Sequence, residues 1–363
     1  MNTFGKTIGL TIFGESHGLS IGAVLDGLPS GEAIDWDAVR TEMARRAPGK
    51  NKMSTARSEK DALEVQSGFF NGHTTGTPLC AIIRNSDQHS RDYDQLRHIM
   101  RPGHADYSGK IRYGGFNDYR GGGHFSGRLT APLVFAGAVA SQILARHGIT
   151  VGSHILRLAG IADKPFDAAG ETAETLQALK KETLPVLDKA QAGPMEEKIL
   201  EAKNDLDSVG GVIECMVTGL PAGIGDPFFD SVESQLSHMM FSVPAVKGIE
   251  FGDGFALADL RGSQANDAFY YDGDTVKTRT NHNGGINGGI TNGMPVVFRL
   301  AVKPTASISQ KQETIDTDTK ENCDLVIKGR HDPCIVQRAI PVVEAAAAWA
   351  ILDVCLSEKG RCW

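Results

Sequence analysis

The sequence predicts an α+β protein in which antiparallel sheets lie on both sides of a layer of buried helices. Two segments, 130–146 and 339–356, are apolar nearly all round, which is typical of helices that are covered on several sides. Runs of alternating or β-branched residues predict strands that follow one another through turns, with few helices between them. This succession favours antiparallel sheets over a doubly wound parallel sheet.

The elements are predicted in chain order from these patterns. Strands are expected over 7–13, 23–26, 79–84, 212–217 and 296–302. Helices are expected over 36–46, 130–146, 229–241 and 339–356. Pro132 and Pro341 fall in the first turns of the two apolar helices, where proline is tolerated. His147 and Gly148 bring a cation and a glycine to the end of the first apolar helix, as expected of a helix C-terminus.

A short repeat points to a possible internal pseudo-duplication. The motif DGLPSG at 26–31 recurs as TGLPAG at 218–223, each time after a strand-like run and before an amphipathic helix. Asp230 with Glu233 predicts a capping box at the start of the second of these helices. The alternative stays open, because strand–turn–helix corners share turn chemistry.

The domain organisation is predicted from one polar stretch and from the lack of a low-complexity linker. The stretch 162–205 is polar, helix-prone and poor in large apolar residues, which predicts a peripheral helical insertion. No low-complexity linker divides the chain, and 363 residues suffice for one large core. A single domain over 1–363 is therefore predicted.

Composition excludes several classes of function. The net charge of −7 argues against a general nucleic-acid binder, and six scattered cysteines without a C-x-x-C pair match neither a disulfide framework nor a zinc ribbon. The N-terminus lacks the apolar region of a signal peptide. Apolar stretches are interrupted before the roughly 18 residues of a membrane span. The expectation is a cytoplasmic protein with no membrane and no nucleic-acid partner.

The unusual feature is glycine, with 42 of 363 residues. Glycines concentrate in blocks that also carry histidine or arginine, at 14–18 (GESHG), 101–106 (RPGHAD), 120–128 (RGGGHFSGR) and 328–333 (KGRHDP). Turn chemistry explains any one block, since glycine adopts positive φ. Close backbone approach to an anion or cofactor is the competing interpretation, favoured by the recurrence.

Arginine accompanies the glycine-rich segments, and its planar fork suits carboxylate or phosphate. The arginines in question are Arg45, Arg46, Arg57, Arg101, Arg120, Arg128, Arg330 and Arg338. Arg128 stands at the start of an apolar helix, whose N-terminus adds positive potential for an anion. The alternative, surface ion pairs, contributes little per pair. The pattern predicts a site for a multiply anionic small molecule.

Four histidines in the glycine blocks are candidate proton donors and acceptors near neutral pH: His17, His104, His124 and His331. Asp332 is a candidate carboxylate base, or alternatively a turn-forming residue before proline. A metal set of His17, His104 and Asp106 matches no known ligand spacing, so no metal is predicted. Hydrolase, P-loop and dinucleotide-binding motifs do not occur.

Taken together, the motifs resemble those of the chorismate synthase family. They occur in the family's order over nearly the whole chain: GESHG at 14–18, RR at 45–46 with PG at 48–49, RPGHAD at 101–106, YRGGGHFSGR at 119–128, AVKG at 245–248, GDGF at 252–255, RGS at 261–263, NHNGGINGG at 281–289, KPT at 303–305 and KGRHDPC at 328–334. Each motif alone is weak, whereas the set is highly specific.

The resemblance implies a reaction, a cofactor and an assembly. The family converts 5-enolpyruvylshikimate 3-phosphate to chorismate by 1,4-anti-elimination of phosphate, the last step of the shikimate pathway. It requires reduced FMN although the net reaction is redox-neutral, and NADPH is left open as the flavin reductant. The implied fold is a β–α–β sandwich and the implied assembly a homotetramer.

The resemblance also implies residue roles. His104 is expected to protonate or hydrogen-bond the reduced flavin, His17 to act at the departing phosphate, and Asp332 to assist removal of the C6 proton. Expected cofactor-binding residues are Arg46, Lys52, His124, Phe125, Ser126, Ala245, Gly288, Lys303, Pro304, Thr305, Ala306, Ser307 and Arg330. Expected substrate-binding residues are Arg46, Arg57, Arg101, Arg128 and Arg330.

Three positions depart from the family's pattern. Leu129 stands where many members have glutamate, Pro244 replaces a frequent asparagine, and Lys52 replaces a frequent arginine. Lysine cannot form the bidentate contact of arginine. Two other functions remain to be separated from this prediction by experiment: a different FMN-dependent reaction such as flavin reduction, and an anion-binding or RNA-binding module.

Overall fold

A computed structural model of the chain describes residues 1–49, 52–54, 61–85, 97–327 and 331–357. The strands in these ranges are β1 Thr3–Phe4, β2 Gly9–Gly14, β3 Ser20–Asp26, β4 Leu63–Ser67, β5 Phe69–Phe70, β6 His73–Thr74, β7 Leu79–Arg84, β8 Thr150–Leu158, β9 Ile161–Ala162, β10 Gly211–Thr218, β11 Val246–Phe251, β12 Phe269–Asp272, β13 Thr275–Thr278, β14 Ile286–Asn287, β15 Ile290–Thr291, β16 Val296–Val302, β17 Lys311–Asp316 and β18 Glu321–Val326. The helices are α1 Trp36–Arg46, α2 Asp106–Arg112, α3 Thr130–Arg146, α4 Ala173–Leu179, α5 Ala192–Asn204, α6 Val232–Met240, α7 Gly262–Ala265 and α8 Val336–Ser357.

Two five-stranded antiparallel sheets lie on either side of a layer of core helices, as the sequence predicts. The strand order is β1-β2-β3-β7-β4 in the first sheet and β11-β16-β10-β8-β9 in the second. Read from opposite ends, the two orders correspond strand by strand. The repeated motif follows β3 in one half and β10 in the other, and α1 and α6 follow it. The correspondence extends the sequence repeat to topology, while internal duplication itself stays a prediction.

The helical layer is built on α3 and α8, which pack along each other between the sheets. A Cβ added at Gly137 of α3 would lie 2.2 Å from Cα of Ala345 on α8, so only glycine allows the helices to cross this closely. The segment 127–146 and helix α8 are long and apolar enough to cross a membrane, contrary to the sequence-based expectation about length. Both are largely or wholly buried inside the protein, as core helices are.

Most predicted elements are confirmed, with two corrections. Helix α8 begins at Val336 instead of 339, so Pro341 lies inside the helix and not in its first turn. Helix α6 begins at Val232, and its cap is Ser231, whose hydroxyl accepts from the backbone N–H of Ser234. The predicted capping box of Asp230 with Glu233 is therefore wrong. Asp230 instead accepts from the Gln235 amide at 2.8 Å and pairs with Lys6.

The polar stretch 162–205 contains α4 and α5, and a buried ion cluster joins its start to the second sheet. His154 of β8 is fully buried, with Nδ1 at 3.1 Å from Asp163 and Nε2 at 2.9 Å from Glu214 of β10. Arg299 of β16 contacts the other oxygen of Glu214 at 2.9 Å. Because both ring nitrogens face carboxylates, the imidazole carries a proton on each. The extent of the domain and the peripheral status of the insertion stay predictions.

Candidate active site

The candidate site lies where the two corresponding strand-to-helix connections meet. In the first half the chain runs from β7 to α3 through RPGHAD and the glycine block, and in the second it runs from β16 to α8 through 303–307 and Asp332. Nζ of Lys303 donates to the carbonyl of Gly103 at 2.5 Å, and Nη1 of Arg101 donates to Oγ of Ser307 at 3.3 Å. The backbone N–H of Lys303 donates to the carbonyl of Ala245 at 2.9 Å.

His104 is held by the acidic residue that opens α2. Its Nδ1 lies 2.6 Å from Oδ1 of Asp106. Arg101 donates to both oxygens of that carboxylate, each at 2.7 Å, and is itself buried. Burial alone would raise the pKa of Asp106, but hydrogen bonds and charge from Arg101 and His104 outweigh it and lower that pKa well below its usual range. The carboxylate is therefore ionised and accepts from Nδ1.

The glycine block brings His17 next to His104. Gly121, Gly122 and Gly123 have φ of 60°, 84° and 54°. A Cβ at Gly121 would lie 2.3 Å from Cδ2 of His17, and a Cβ at Gly122 would lie 3.2 Å from Cε1 of His104. The two histidines thus lie against neighbouring residues of one loop. The turn requires positive φ, and the imidazoles leave no room for a side chain, while close approach of this backbone to an anion or cofactor stays a prediction.

The next three residues face other neighbours. His124 contacts the carbonyl of Gly14 through Nδ1 at 2.8 Å, which fixes the loop to β2. The ring of Phe125 packs over Gly109 of α2, where a Cβ would lie 2.6 Å from it. Oγ of Ser126 accepts from the backbone N–H of Arg128 at 3.3 Å. These contacts position the glycine block and the start of α3.

A buried cluster of two arginines and one aspartate lies at the N-terminal end of α3. Nη2 of Arg46 contacts Asp61 at 2.6 Å, and Arg128 binds the other oxygen of the same carboxylate. Burial alone would raise the pKa of Asp61, but the two guanidinium groups outweigh it and lower that pKa. Two buried guanidinium groups thus converge on one carboxylate at the start of α3, and the planar fork of arginine suits a carboxylate or phosphate.

Asp332 lies next to this cluster through Arg338. Its Oδ2 is 2.5 Å from Nη1 of Arg338 of α8, and Nε of Arg338 donates to the backbone carbonyl of Arg46 at 3.1 Å. The candidate base and the predicted anion-binding arginine are thus connected by one side chain.

The remaining predicted residues are more dispersed. Gly288 is exposed at the turn between β14 and β15, and its neighbour Gly289 lies against Ser231. Lys52 is exposed, and its carbonyl accepts from Nζ of Lys203 at 2.7 Å. Arg57 and Arg330 lie outside the described residues.

Sequence reasoning missed two carboxylates that hold the site together. The sequence places Asp106 only in a candidate metal set, although a carboxylate two residues after the histidine of RPGHAD is a usable signal. Asp61 carries no such signal, because its arginine partners are 15 and 67 residues away in sequence.

Comparisons with known proteins agree on one family. The family model described as chorismate synthase matches residues 8–356. The chain is 45% identical over 355 residues to the chorismate synthase of Dehalococcoides mccartyi, covering 98% of this chain and 96% of that protein. It is 45% identical over 359 residues to that of Chitinophaga pinensis, covering 99% and 98%. A crystal structure of chorismate synthase superposes with a TM-score of 0.77 at 28% identity, covering 99% of this chain and 95% of that one.

Proposed function

The chain belongs to the chorismate synthase family, and we propose that His17, His104 and Asp332 carry the proton chemistry of its reaction. The enzyme is a lyase that eliminates phosphate from 5-enolpyruvylshikimate 3-phosphate in the 1,4 sense and yields chorismate, the last step of the shikimate pathway. The observation that carries the residue assignment is the placement of both histidines against Gly121 and Gly122 of one loop.

The cofactor of the family is reduced FMN, and the residues near the histidines fit it. Oγ1 of Thr305 is buried and has no hydrogen-bond partner among the described residues. Lys303 adds a cation two residues earlier. Lys303, Thr305 and Ser307 would hold the flavin, and the bound flavin would supply electron density for the elimination.

The side chains of this chain then divide the remaining tasks. Arg46 and Arg128 bind an anionic group of the substrate, because their guanidinium forks converge at the N-terminal end of α3. His17 donates a proton or hydrogen bond to the departing phosphate. Asp332 assists proton removal, with Arg338 setting its position at 2.5 Å. His104 takes up and returns a proton at Nε2, the nitrogen that does not face Asp106.

Anaerobic phosphate release with photoreduced FMN tests these assignments. His17→Ala and Asp332→Asn should each lower turnover by about 10²–10⁴-fold, the range of a lost acid–base group. His73→Ala removes an exposed histidine of β6 and should leave turnover unchanged. Folded His17→Ala or Asp332→Asn protein with wild-type turnover would remove that residue from the mechanism.

We also propose a homotetramer and a cytoplasmic location. The support for assembly is a set of aromatic side chains left 62–90% exposed: Phe228, Phe229, Phe255, Phe269 and Tyr271. Surfaces of this kind mark interaction sites. Light scattering should give four times the chain mass, and a monomer at micromolar concentration would contradict the proposal. The support for the location is that the two apolar helices are covered by the protein itself.

The source of reducing equivalents forms a separate proposal. The sequence has no dinucleotide-binding fingerprint, so we propose that reduced FMN is supplied from outside the enzyme. Turnover driven by NADPH alone in air would contradict it.

A further inference from the structure

The strongest feature that the family assignment leaves unexplained is the environment of His104. Asp106 lies two residues later, at the first position of α2, and accepts from Nδ1 at 2.6 Å. The same carboxylate accepts from the backbone N–H of Arg101 at 3.1 Å and from two of its guanidinium nitrogens. All of its strong contacts come from within one six-residue loop.

We propose that Asp106 is a positioning residue for the elimination, which holds His104 in the tautomer with the proton on Nδ1 and presents Nε2 at the glycine block. The inference rests on the proposed role of His104. An ionised carboxylate only accepts hydrogen bonds, so a short contact to Nδ1 places the proton of a neutral imidazole there. Nη2 of Arg101 also lies 3.1 Å from Nδ1, but it donates to Asp106 at the shorter distance of 2.7 Å, and the carboxylate is the closer neighbour of Nδ1. No hydrogen bond among the described residues uses Nε2, which lies beside Gly122.

Arg101 fixes the orientation of the Asp106 carboxylate. Its guanidinium occupies both carboxylate oxygens, so Asp106 cannot rotate away without breaking two charged hydrogen bonds. Its remaining terminal nitrogen reaches Ser307 at 3.3 Å. The orientation of His104 is thus tied to the segment that would hold the flavin. Arg101, predicted from the family only as a substrate ligand, has this second task.

A purely structural ion pair between Arg101 and Asp106 would have different consequences. Such a pair would stabilise the loop but would leave the imidazole free to exchange tautomers. Asp106→Asn distinguishes the two, because the amide keeps the shape of the carboxylate and can donate to Nδ1 as well as accept from it. The proton of His104 then moves to Nε2. A protonated Nε2 cannot accept a proton at the glycine block.

The first experiment reads the tautomer directly. Magic-angle-spinning NMR of [¹⁵N]histidine-labelled full-length protein, above the pH at which His104 is cationic, should show protonated Nδ1 and unprotonated Nε2. The His104 resonance is identified by its loss in His104→Gln. Asp106→Asn should exchange the two signals, whereas Asp253→Asn, which removes a carboxylate 2.5 Å from His282, should alter the His282 resonance only. Protonated Nε2 in the wild type would overturn the proposal.

The second experiment reads the kinetics with reduced FMN. Asp106→Asn should lower kcat by at least about 10²-fold with little change in KM, and should shift the pH profile of kcat. Asp106→Glu, which can still accept from Nδ1, should recover part of the loss. An exchanged tautomer with unchanged kcat would reject the positioning role. Unchanged turnover in His104→Ala would instead reject the catalytic role of His104. The tautomer measured by NMR would remain valid in that case.

Discussion

His104 and His154 are each bonded to an aspartate, but they differ in how many carboxylates contact the ring and in exposure. His154 has a carboxylate on each ring nitrogen and no exposure, whereas His104 has one carboxylate and a side chain that is 18% exposed. The second carboxylate saturates His154 and leaves it no atom for chemistry. The single carboxylate at His104 orients the ring and leaves Nε2 at the glycine block. A buried His–Asp pair therefore indicates catalysis only where one nitrogen stays available.

The largest expected effect separates the two histidines by activity. His104→Ala should lower turnover by roughly 10–10⁴-fold, since a general acid–base group is lost, and leave FMN binding largely intact. Turnover is measured anaerobically with reduced FMN, and flavin affinity by fluorescence quenching. Folded His154→Ala protein at low temperature serves as the comparison and should retain its turnover per molecule. Equal losses in both variants would contradict the distinction.

The free energy of unfolding should depend strongly on His154, the histidine whose loss is expected to leave turnover unchanged. His154→Ala leaves the buried carboxylates of Asp163 and Glu214 without their shared cation, which costs about 3–5 kcal/mol of unfolding free energy. Urea denaturation followed by circular dichroism measures this. The exposed control His73→Ala should change the free energy by less than about 0.5 kcal/mol. A similarly small change in His154→Ala would show that the cluster contributes no net stability.

The cluster of Arg46, Asp61 and Arg128 extends the comparison, because it is buried like that of His154 but is predicted to bind the substrate. Arg128→Ala should weaken substrate binding by about 1.5–3 kcal/mol, the contribution of a charged hydrogen bond. Isothermal titration of the enzyme with substrate in the absence of reduced flavin measures the affinity. Arg40→Ala removes an exposed arginine of α1 and should have no effect. Unchanged affinity in Arg128→Ala would assign the Arg46–Asp61–Arg128 cluster to structure, like that of His154.

The smallest expected effect is the pH dependence of the His154 cluster. Burial would lower the pKa of His154, but the hydrogen bonds that its ring donates to Asp163 and Glu214, with the charges of these carboxylates, outweigh burial and raise that pKa. Its contribution is therefore fully present below the unfolded pKa near 6.5 and is lost as pH rises through the folded value. The difference in unfolding free energy between wild type and His154→Gln should shrink by up to about 1.4 kcal/mol per pH unit above neutrality. A difference independent of pH between 7 and 10 would contradict this.

The fold could be predicted from the sequence where a single pattern decides the outcome. Helix α3 and strands β7 and β16 have the predicted bounds. Each is a continuous run of mainly apolar or β-branched residues, as expected of a buried element. Local rules failed where long-range contacts competed with them. Asp230 was predicted as a cap, but the side chains of Gln235 and Lys6 occupy its carboxylate, and Ser231 caps α6 instead.

The candidate site could be predicted only in part, for a related reason. Glycine with histidine or arginine marked the loops, and those of His17 and His104 do lie together. The carboxylates were harder to find, because an aspartate that neutralises arginines distant in sequence looks like any other polar residue. Asp61 is such a case, and only the folded chain brings Arg46 and Arg128 to it.

The close crossing of α3 and α8 at Gly137 has a consequence for how this enzyme can change over time. Each core helix begins where a functional connection ends, so the spacing of the helices sets the distance between the two halves of the site. Even one methyl group at position 137 would collide with the backbone of Ala345 and would push the halves apart. Gly137 lies within a core helix, outside the predicted site residues, yet its substitution would change the distance between the catalytic connections. Core packing at this position therefore limits which substitutions are compatible with activity.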